Sequence, residues 1–85
     1  MIPIKEAIAS AYKFLEEIPW EEDYKKSASI EEIEYGSEGE HSVWKITLGF
    51  RKPTLLALMV SSQKEYRIFN VRSDIGTVLS MKIRE

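Results

Sequence analysis

Few residues of this chain could carry acid–base or metal chemistry. His41 is the only histidine among the 85 residues, and there is no cysteine. A catalytic or metal-binding histidine needs partners at a suitable spacing, and neither a His-x-x-x-His pair nor a cysteine-based zinc pattern is present. We therefore expect His41 to be a surface turn residue, and the sequence predicts no catalytic residue, no metal ligand and no cofactor.

Five glutamates in the segment 31–40 could supply paired carboxylates: Glu31, Glu32, Glu34, Glu38 and Glu40. Paired carboxylates hydrolyse glycosides, and several oxygen ligands together can hold a cation. Neither helper residues nor the Asp-rich spacing of a calcium loop accompanies them here. We favour a solvated strand face, on which Lys45 of the next strand lies across from the acidic residues and stabilises the sheet.

The basic residues raise the question of nucleic-acid binding. They are Arg51, Lys52, Lys64, Arg67, Arg72, Lys82 and Arg84. Those of the last two predicted strands alternate with Tyr66 and Phe69, which superficially suits a platform for stacking bases. The isoelectric point of about 5.5 lies far below the value above ~9 that is typical of nucleic-acid-binding domains. We therefore expect no nucleic-acid partner.

The charges are divided unevenly, although the net charge is only -2. Residues 1–43 hold eleven Asp or Glu against four Lys, whereas residues 44–85 hold three acids against eight Lys or Arg. Such asymmetry indicates either a charged partner or two halves that face each other in the fold. We favour the second interpretation, because 85 residues are enough for one small core and not for two.

The first predicted element is an amphipathic helix over about residues 4–18. Its apolar residues recur every three or four positions and form one stripe: Ile4, Ala7, Ile8, Ala11, Leu15 and Ile18. Pro3 suits the first turn, and Pro19 disfavours a helical conformation at the residue before it. Residues 20–27 have no clear period and predict a connecting loop, with Trp20 covering one end of the core.

Four strands are predicted next, at about residues 28–35, 42–50, 65–72 and 77–84. The second strand is the clearest, because its apolar residues alternate with polar ones: Trp44, Ile46, Leu48 and Phe50. In the first strand Ile30 and Ile33 break the alternation, and a bulge near Glu31 or Glu32 would restore it. Residues 36–39 predict a turn between the first two strands.

The last two strands are joined by residues 73–76, which are few enough for a hairpin turn with Gly76 at positive φ. A ligand-binding role for this turn is disfavoured, because it lies between two strands and carries Asp74, which would repel phosphate. We therefore interpret it as a feature of the topology.

The third strand carries apolar residues on both faces, since Tyr66 and Ile68 share one face and Phe69 and Val71 the other. Either a bulge near Ile68 restores a single apolar face, or the second face is covered by residues 53–60 or by another chain. The insertion at residues 51–64 has no decisive period, so helix, loop and strand stay open, and the flanking Pro53 and Ser61-Ser62-Gln63 favour a loop with a helical turn. The residues expected in a partner or homodimer contact are Leu55, Leu56, Leu58, Met59, Tyr66 and Ile68.

Together these elements predict a single α+β domain over residues 1–85, with one N-terminal helix packed on a four-stranded antiparallel meander sheet. The N-terminal residues do not resemble a signal peptide, and no apolar run approaches the ~18 residues of a membrane span. We therefore expect a cytoplasmic protein without a membrane partner.

The helix and the closing hairpin resemble the PepSY and PepSY-like small bacterial domains. That hairpin often has a hydrophobic strand, a turn with Asp and Gly, and then Val-Leu; here the positions are Phe69, Val71, Asp74, Gly76, Val78 and Leu79. The resemblance is closest over residues 66–80, and the chain departs from the pattern at Ile75, at Thr77 and in its long insertion. It implies a cystatin-like arrangement and a non-enzymatic, binding or inhibitory role.

The predicted function is a non-catalytic binding or regulatory module that acts through protein–protein contact. Two alternatives stay open. One is a toxin-neutralising or inhibitor protein whose acidic half attracts a basic partner. The other is a small hydrolase or isomerase with a carboxylate acid or base, which a buried ionisable residue in a pocket would favour.

Overall fold

The structure contains the helix and the sheet that the sequence predicts. It is a computed structural model that describes residues 1–51 and 64–84. The elements are α1 (Ile4–Glu17), α2 (Glu22–Lys26), β1 (Ser29–Glu38), β2 (His41–Arg51), β3 (Lys64–Arg72) and β4 (Val78–Arg84). The strands form a four-stranded antiparallel sheet in the order β1-β2-β3-β4, and α1 packs against β2, β3 and β4. The α+β meander prediction is therefore confirmed.

Helix α1 lies between the two prolines that were expected to limit it. Its N-cap Pro3 is extended, with φ -65° and ψ 155°, and its C-cap Ile18 is extended again at ψ 133°. A residue that precedes proline avoids helical angles, which explains the end of the helix before Pro19. Ala7 and Ala11 are fully buried, so small side chains allow the helix backbone to approach the sheet closely.

Residues 20–27 differ from the prediction of a loop, because helix α2 forms within them. Glu22 and Asp23 lie in its first turn and Lys25 and Lys26 in its last, which is the charge order that a helix dipole favours. Lys25 Nζ also donates a hydrogen bond to the backbone oxygen of Glu16 at 3.0 Å. A helix of five residues is too short to reveal itself by periodicity.

Strand β1 contains the predicted bulge. Ile30 lies opposite Leu48, and Glu32 lies opposite the preceding residue of β2, so Glu31 is the extra residue. The bulge returns Ile30 and Ile33 to the same side of the sheet, the side that faces α1. This part of the sequence interpretation is confirmed.

The hairpin between β1 and β2 is longer than predicted. β1 continues to Glu38 instead of ending near residue 35, and β2 begins at His41. Gly36 belongs to the strand, and the side chain of Lys45 lies over it, since an added Cβ would be 3.0 Å from Lys45 Cε. The turn itself is confined to the next residues, where Gly39 has φ 59°.

Strand β3 has no bulge near Ile68, so the first of the two alternatives for this strand is excluded. Its pairing with β2 is regular along its whole length, and the irregularity lies in β4, where Leu79 has no partner on β3. Phe69 and Val71 therefore face α1, while Tyr66 and Ile68 face the opposite side. The alternative interpretation, a second face that is partly apolar, is the one that the register supports.

The core lies between α1 and the sheet. Its buried apolar residues are Ala7, Ala11, Leu15, Ile46, Leu48, Phe50, Phe69 and Val71. Phe50 stacks on Tyr24, with ring centroids 4.9 Å apart, and meets the ring of Trp20 edge-on at 5.8 Å. Trp20 thus covers one end of the core, as the sequence predicts.

The turn between β3 and β4 is the predicted hairpin turn. Gly76 has φ 80°, and its N–H donates to the backbone oxygen of Arg72 at 2.9 Å. Arg72 also donates from Nε and Nη2 to the two carboxylate oxygens of Asp74, at 2.9 and 2.6 Å. Asp74 therefore has a structural role, because its carboxylate binds the guanidinium of Arg72.

Candidate functional site

The side of the sheet opposite α1 is the candidate site, and we call it the open face. Both described helices pack on the other side, through Leu15 of α1 and Tyr24 of α2. Paired positions in neighbouring strands point to the same side, so the strand register defines this face. Among its residues are Glu32, Glu34, Glu38, Val43, Lys45, Thr47, Gly49, Tyr66, Ile68, Asn70, Ser80, Lys82 and Arg84.

Side chains from the two edge strands meet over the open face. Arg84 Nη1 of β4 lies 2.8 Å from Glu32 Oε2 of β1, and Ser80 Oγ of β4 donates to Glu38 Oε2 of β1 at 2.5 Å. Three strand spacings separate these edges, which amounts to about 14 Å in a flat sheet. Direct contact across that span shows that the sheet curls and that the open face is concave.

A groove of about 180 Å³ runs along this concave face. It is lined by Glu32, Glu34, Lys45, Thr47, Ile68 and Arg84. Thr47, which is only 4% exposed, and the half-buried Ile68 lie at the centre of the sheet and form the floor. The long charged side chains form the walls, so the groove has a floor of one hydroxyl-bearing and one apolar side chain between charged walls.

The acidic and basic halves of the chain face each other across the open face, as the sequence interpretation predicts. Glu34 lies directly opposite Lys45 in the register of β1 and β2. The longer-range ion pairs are Glu31–Lys64 at 2.8 Å, Glu32–Arg84 at 2.8 Å and Glu38–Lys82 at 3.9 Å. Part of the charge asymmetry of the sequence is therefore used within the fold, through the glutamates of β1.

Glu32 and Glu34 are successive open-face residues of β1, and their carboxyl groups interact. A hydrogen bond with Glu32 and its negative charge raise the pKa of Glu34, against the opposing charges of Lys45 and Arg84. Two carboxyl groups that compete for one proton are a common acid–base unit in enzymes. This pair lies at an exposed strand edge, so Glu34 is not the buried ionisable residue that the enzyme alternative calls for.

Glu38 is bound by a polar network at the far end of β1. Its carboxylate accepts hydrogen bonds from Ser80 Oγ and Asn70 Nδ2, and these bonds, with the charges of Lys82 and Lys45, lower its pKa. Asn70 is 4% exposed, and its Oδ1 accepts no hydrogen bond within the described part of the chain. The sequence interpretation missed this network. Asn70, a polar residue between the apolar Phe69 and Val71 of β3, could have indicated it.

Two of the predicted contact residues lie on the open face. Tyr66 and Ile68 are both half-buried there, and the guanidinium of Arg84 lies 5.8 Å from the centroid of the Tyr66 ring. The remaining predicted contact residues, Leu55, Leu56, Leu58 and Met59, lie outside the described residues.

His41 is exposed at the start of β2, opposite Glu38 in the hairpin. Within residues 1–51 and 64–84, no group of three or more His, Asp or Glu residues could hold a metal ion. None of the described helices is both long enough and apolar enough to cross a membrane.

Comparisons with known proteins identify no relative of this chain. No family model, no curated protein and no solved structure matches it. The resemblance to PepSY-like domains and the cystatin-like description therefore stay predictions that rest on the residues of the helix and the closing hairpin.

Proposed function

We propose that this protein is a non-catalytic binding or regulatory module that contacts a protein partner through its open face. The observation that carries the proposal is the position of Tyr66 and Ile68 beside a concave groove, on the side opposite both described helices. Tyr66 and Ile68 are half-buried apolar side chains rimmed by polar residues, an arrangement that suits a protein contact surface. Tyrosine and arginine, here Tyr66 and Arg84, are enriched among the residues that dominate such contacts.

The use of the charged groups supports a non-catalytic role. Glu32 is paired with Arg84, and Glu38 is bonded to Ser80, so both carboxylates hold the edges of the sheet together. The second candidate, a small hydrolase or isomerase, would have to use Glu34, whose pKa is raised by Glu32 but whose side chain is exposed. These candidates differ in their ligands, since open-face contact requires a macromolecule whereas acid–base chemistry in a groove of about 180 Å³ requires a small substrate.

Three further expectations belong to this proposal. The β1 glutamates that pair with Lys64, Lys82 and Arg84 are not available to a basic partner, so we rank a toxin-neutralising role lower. The same pairing supports the absence of a nucleic-acid partner. The cytoplasmic location stays a prediction from the sequence.

A capture experiment with three matched proteins tests the proposal. The wild type, Tyr66→Ala and the control Ile83→Ala are immobilised and exposed to extract of the native host, and bound proteins are quantified by mass spectrometry. Ile83 is 67% exposed on the neighbouring strand β4 but faces the other side of the sheet. We expect a partner that the wild type and Ile83→Ala retain and that Tyr66→Ala loses by about tenfold or more.

Sedimentation of the same three proteins at micromolar concentration tests a homodimer. Self-association that Tyr66→Ala alone abolishes would identify a second copy as the partner. Circular dichroism verifies that each variant is folded. Equal capture and equal self-association by folded Tyr66→Ala and wild type would contradict the proposal.

A further inference from the structure

A second cavity lies at the opposite side of the sheet, between the start of α2 and β3. It has a volume of about 450 Å³, and we call it the aromatic pocket. It is lined by Pro19, Trp20, Glu21, Tyr24, Glu65 and Arg67. Glu65 and Arg67 lie opposite Phe50 and Leu48 in the register, so the pocket is on the helix side and separate from the open face. Small-molecule sites commonly have volumes of about 300–1,000 Å³.

The aromatic walls of this pocket are fixed by the core. Tyr24 stacks on the buried ring of Phe50 at 4.9 Å, and Trp20 meets Tyr24 edge-on at 5.4 Å and Phe50 edge-on at 5.8 Å. Each ring is therefore held by two others. Binding would not have to order these side chains, which lowers the entropic cost of association.

The charges around the pocket favour a cation. The guanidinium of Arg67 lies 5.8 Å from the centroid of the Trp20 ring, so this ring already attracts one cation. Arg67 Nη2 also lies 3.6 Å from Glu65 Oε2, so the carboxylate of Glu65 offsets the positive charge of Arg67. Glu21 is then a second carboxylate on the wall, and no ion pair within the described residues includes it. The lining residues together carry one net negative charge.

We infer that the aromatic pocket binds a small organic cation with a methylated ammonium group. The faces of Trp and Tyr rings attract such groups through their negative quadrupole, and methylation lowers the cost of removing the charge from water. The methyl groups would contact Trp20, Tyr24 and Pro19, while the positive charge faces Glu21, because Glu65 is paired with Arg67 and accepts a hydrogen bond from the Tyr24 hydroxyl. A free small molecule and a methylated lysine side chain share this chemistry.

Fluorescence titration tests the inference directly. Trp44→Phe leaves Trp20 as the only tryptophan, since the chain has two. The probes are choline, its neutral isostere 3,3-dimethylbutan-1-ol and a short peptide that contains trimethyl-lysine. We expect saturable changes in Trp20 emission with choline or the peptide, and binding of the neutral isostere that is weaker by at least about threefold.

Three charge variants in the Trp44→Phe background give signed expectations. Glu21→Gln should weaken cation binding by about two- to fivefold, because Glu21 is exposed and its charge is partly screened. Glu22→Gln, the adjacent exposed residue outside the pocket, should leave the affinity unchanged. Arg67→Met should strengthen binding, because it removes the competing positive charge and retains the length of the side chain.

The probes also separate the two sources of the cation. Binding of choline supports a free small molecule, and binding of the peptide alone supports a methylated lysine side chain. Binding of neither, equal binding of the neutral isostere, or equal effects of Glu21→Gln and Glu22→Gln would overturn the inference. Loss of the open-face partner would leave these titrations unaffected, so the two proposals fail separately.

Discussion

At the scale of single residues, two glutamates of β1 on the open face have pKa values that are shifted in opposite directions. Glu34 lies beside another carboxyl group, Glu32, and its pKa is raised. Glu38 receives hydrogen bonds from Ser80 and Asn70, and its pKa is lowered. The difference arises because the neighbours of Glu34 disfavour its charged form, whereas those of Glu38 favour it. Residue type alone therefore does not determine what a glutamate contributes to this surface.

Glu38→Gln should reduce stability at neutral pH. Because folding lowers the pKa of Glu38, its ionised form stabilises the fold above the unfolded pKa of about 4.3, and this contribution disappears as the pH falls through the folded value. The thermal midpoint of Glu38→Gln should therefore lie below that of the wild type at pH 7 and approach it near pH 3. Circular dichroism melts across this range provide the measurement.

Glu34→Gln is the matched comparison and has the opposite sign. A raised folded pKa means that ionisation of Glu34 destabilises the fold at neutral pH and that protonation relieves this as the pH falls. Glu34→Gln should therefore equal or exceed the wild type in thermal midpoint at pH 7 and lose any advantage near pH 3. Parallel pH profiles for the two variants would contradict both assignments.

At the scale of elements, α1 depends on small residues and β1 on a bulge. Ala11 is fully buried where the helix meets the sheet, whereas Ala9 on the same helix is exposed. In β1, Glu31 has no partner on β2, and its carboxylate lies over Gly49, where an added Cβ would be 2.7 Å from Glu31 Oε1. The buried alanine and the bulge each give a prediction about stability, and each has a control substitution or deletion in the same element.

Ala11→Leu should destabilise the protein by about 1–3 kcal/mol, because a larger side chain between α1 and the sheet forces the helix outward. Ala9→Leu adds the same side chain on the exposed side and should change stability by less than about 0.5 kcal/mol. Urea unfolding followed by tryptophan fluorescence measures both values. Equal midpoints would show that the helix does not pack on the sheet at Ala11.

Deletion of Glu31 should be tolerated, because Ile30 and Glu32 then lie opposite consecutive residues of β2 in regular pairing. Deletion of Glu34 should reduce stability. The residues before the deletion would move one position along β2, which places Ile33 on the open face and Glu32 on the side that faces α1. Loss of the Ile33 contact alone costs about 1–2 kcal/mol. In a domain of this size, each kcal/mol of lost stability lowers the thermal midpoint by about 4–8 °C. A larger loss on deleting Glu31 than on deleting Glu34 would show that the bulge is misplaced.

At the scale of the whole molecule, the fold brings the acidic β1 over the basic residues of β3 and β4. The ion pairs are partly exposed, so each contributes little stability, but together they neutralise one surface. The chain therefore has a basic surface, formed by Lys64, Lys82 and Arg84, that is covered by its own glutamates, and the net charge of -2 does not reveal it. This arrangement predicts weak binding to polyanions.

Heparin chromatography at low salt tests the covered basic surface. The wild type should elute early, whereas a triple variant with Glu31→Gln, Glu32→Gln and Glu38→Gln should be retained, because Lys64, Lys82 and Arg84 lose their partners. The control replaces Glu6, Glu16 and Glu17 of α1 by Gln, which also changes the net charge from -2 to +1. Equal retention of the two variants would show that net charge alone governs binding.

The sequence by itself determined the elements whose signal is local. The period of α1, the alternation of β2, the bulge in β1 and the turn at Gly76 follow from backbone geometry and from a few special residues, and the structure agrees with each. Helix α2 was missed because five residues show no period. For β3 the sequence left two alternatives, a bulge near Ile68 or a partly apolar second face, because apolar residues on both faces fit either. Only the strand register excludes the bulge.

Only the tertiary structure decided how distant residues combine. The curl of the sheet brings Glu32 to Arg84 and Glu38 to Ser80, across two intervening strands. Packing of Trp20 and Tyr24 on Phe50 places two aromatic rings beside Arg67, which is 43 residues or more along the chain from either of them. These contacts depend on sheet twist and on the direction of long side chains, which no local periodicity encodes. The concave open face and the aromatic pocket therefore exist only once the sheet has formed and the helices have packed on one side of it.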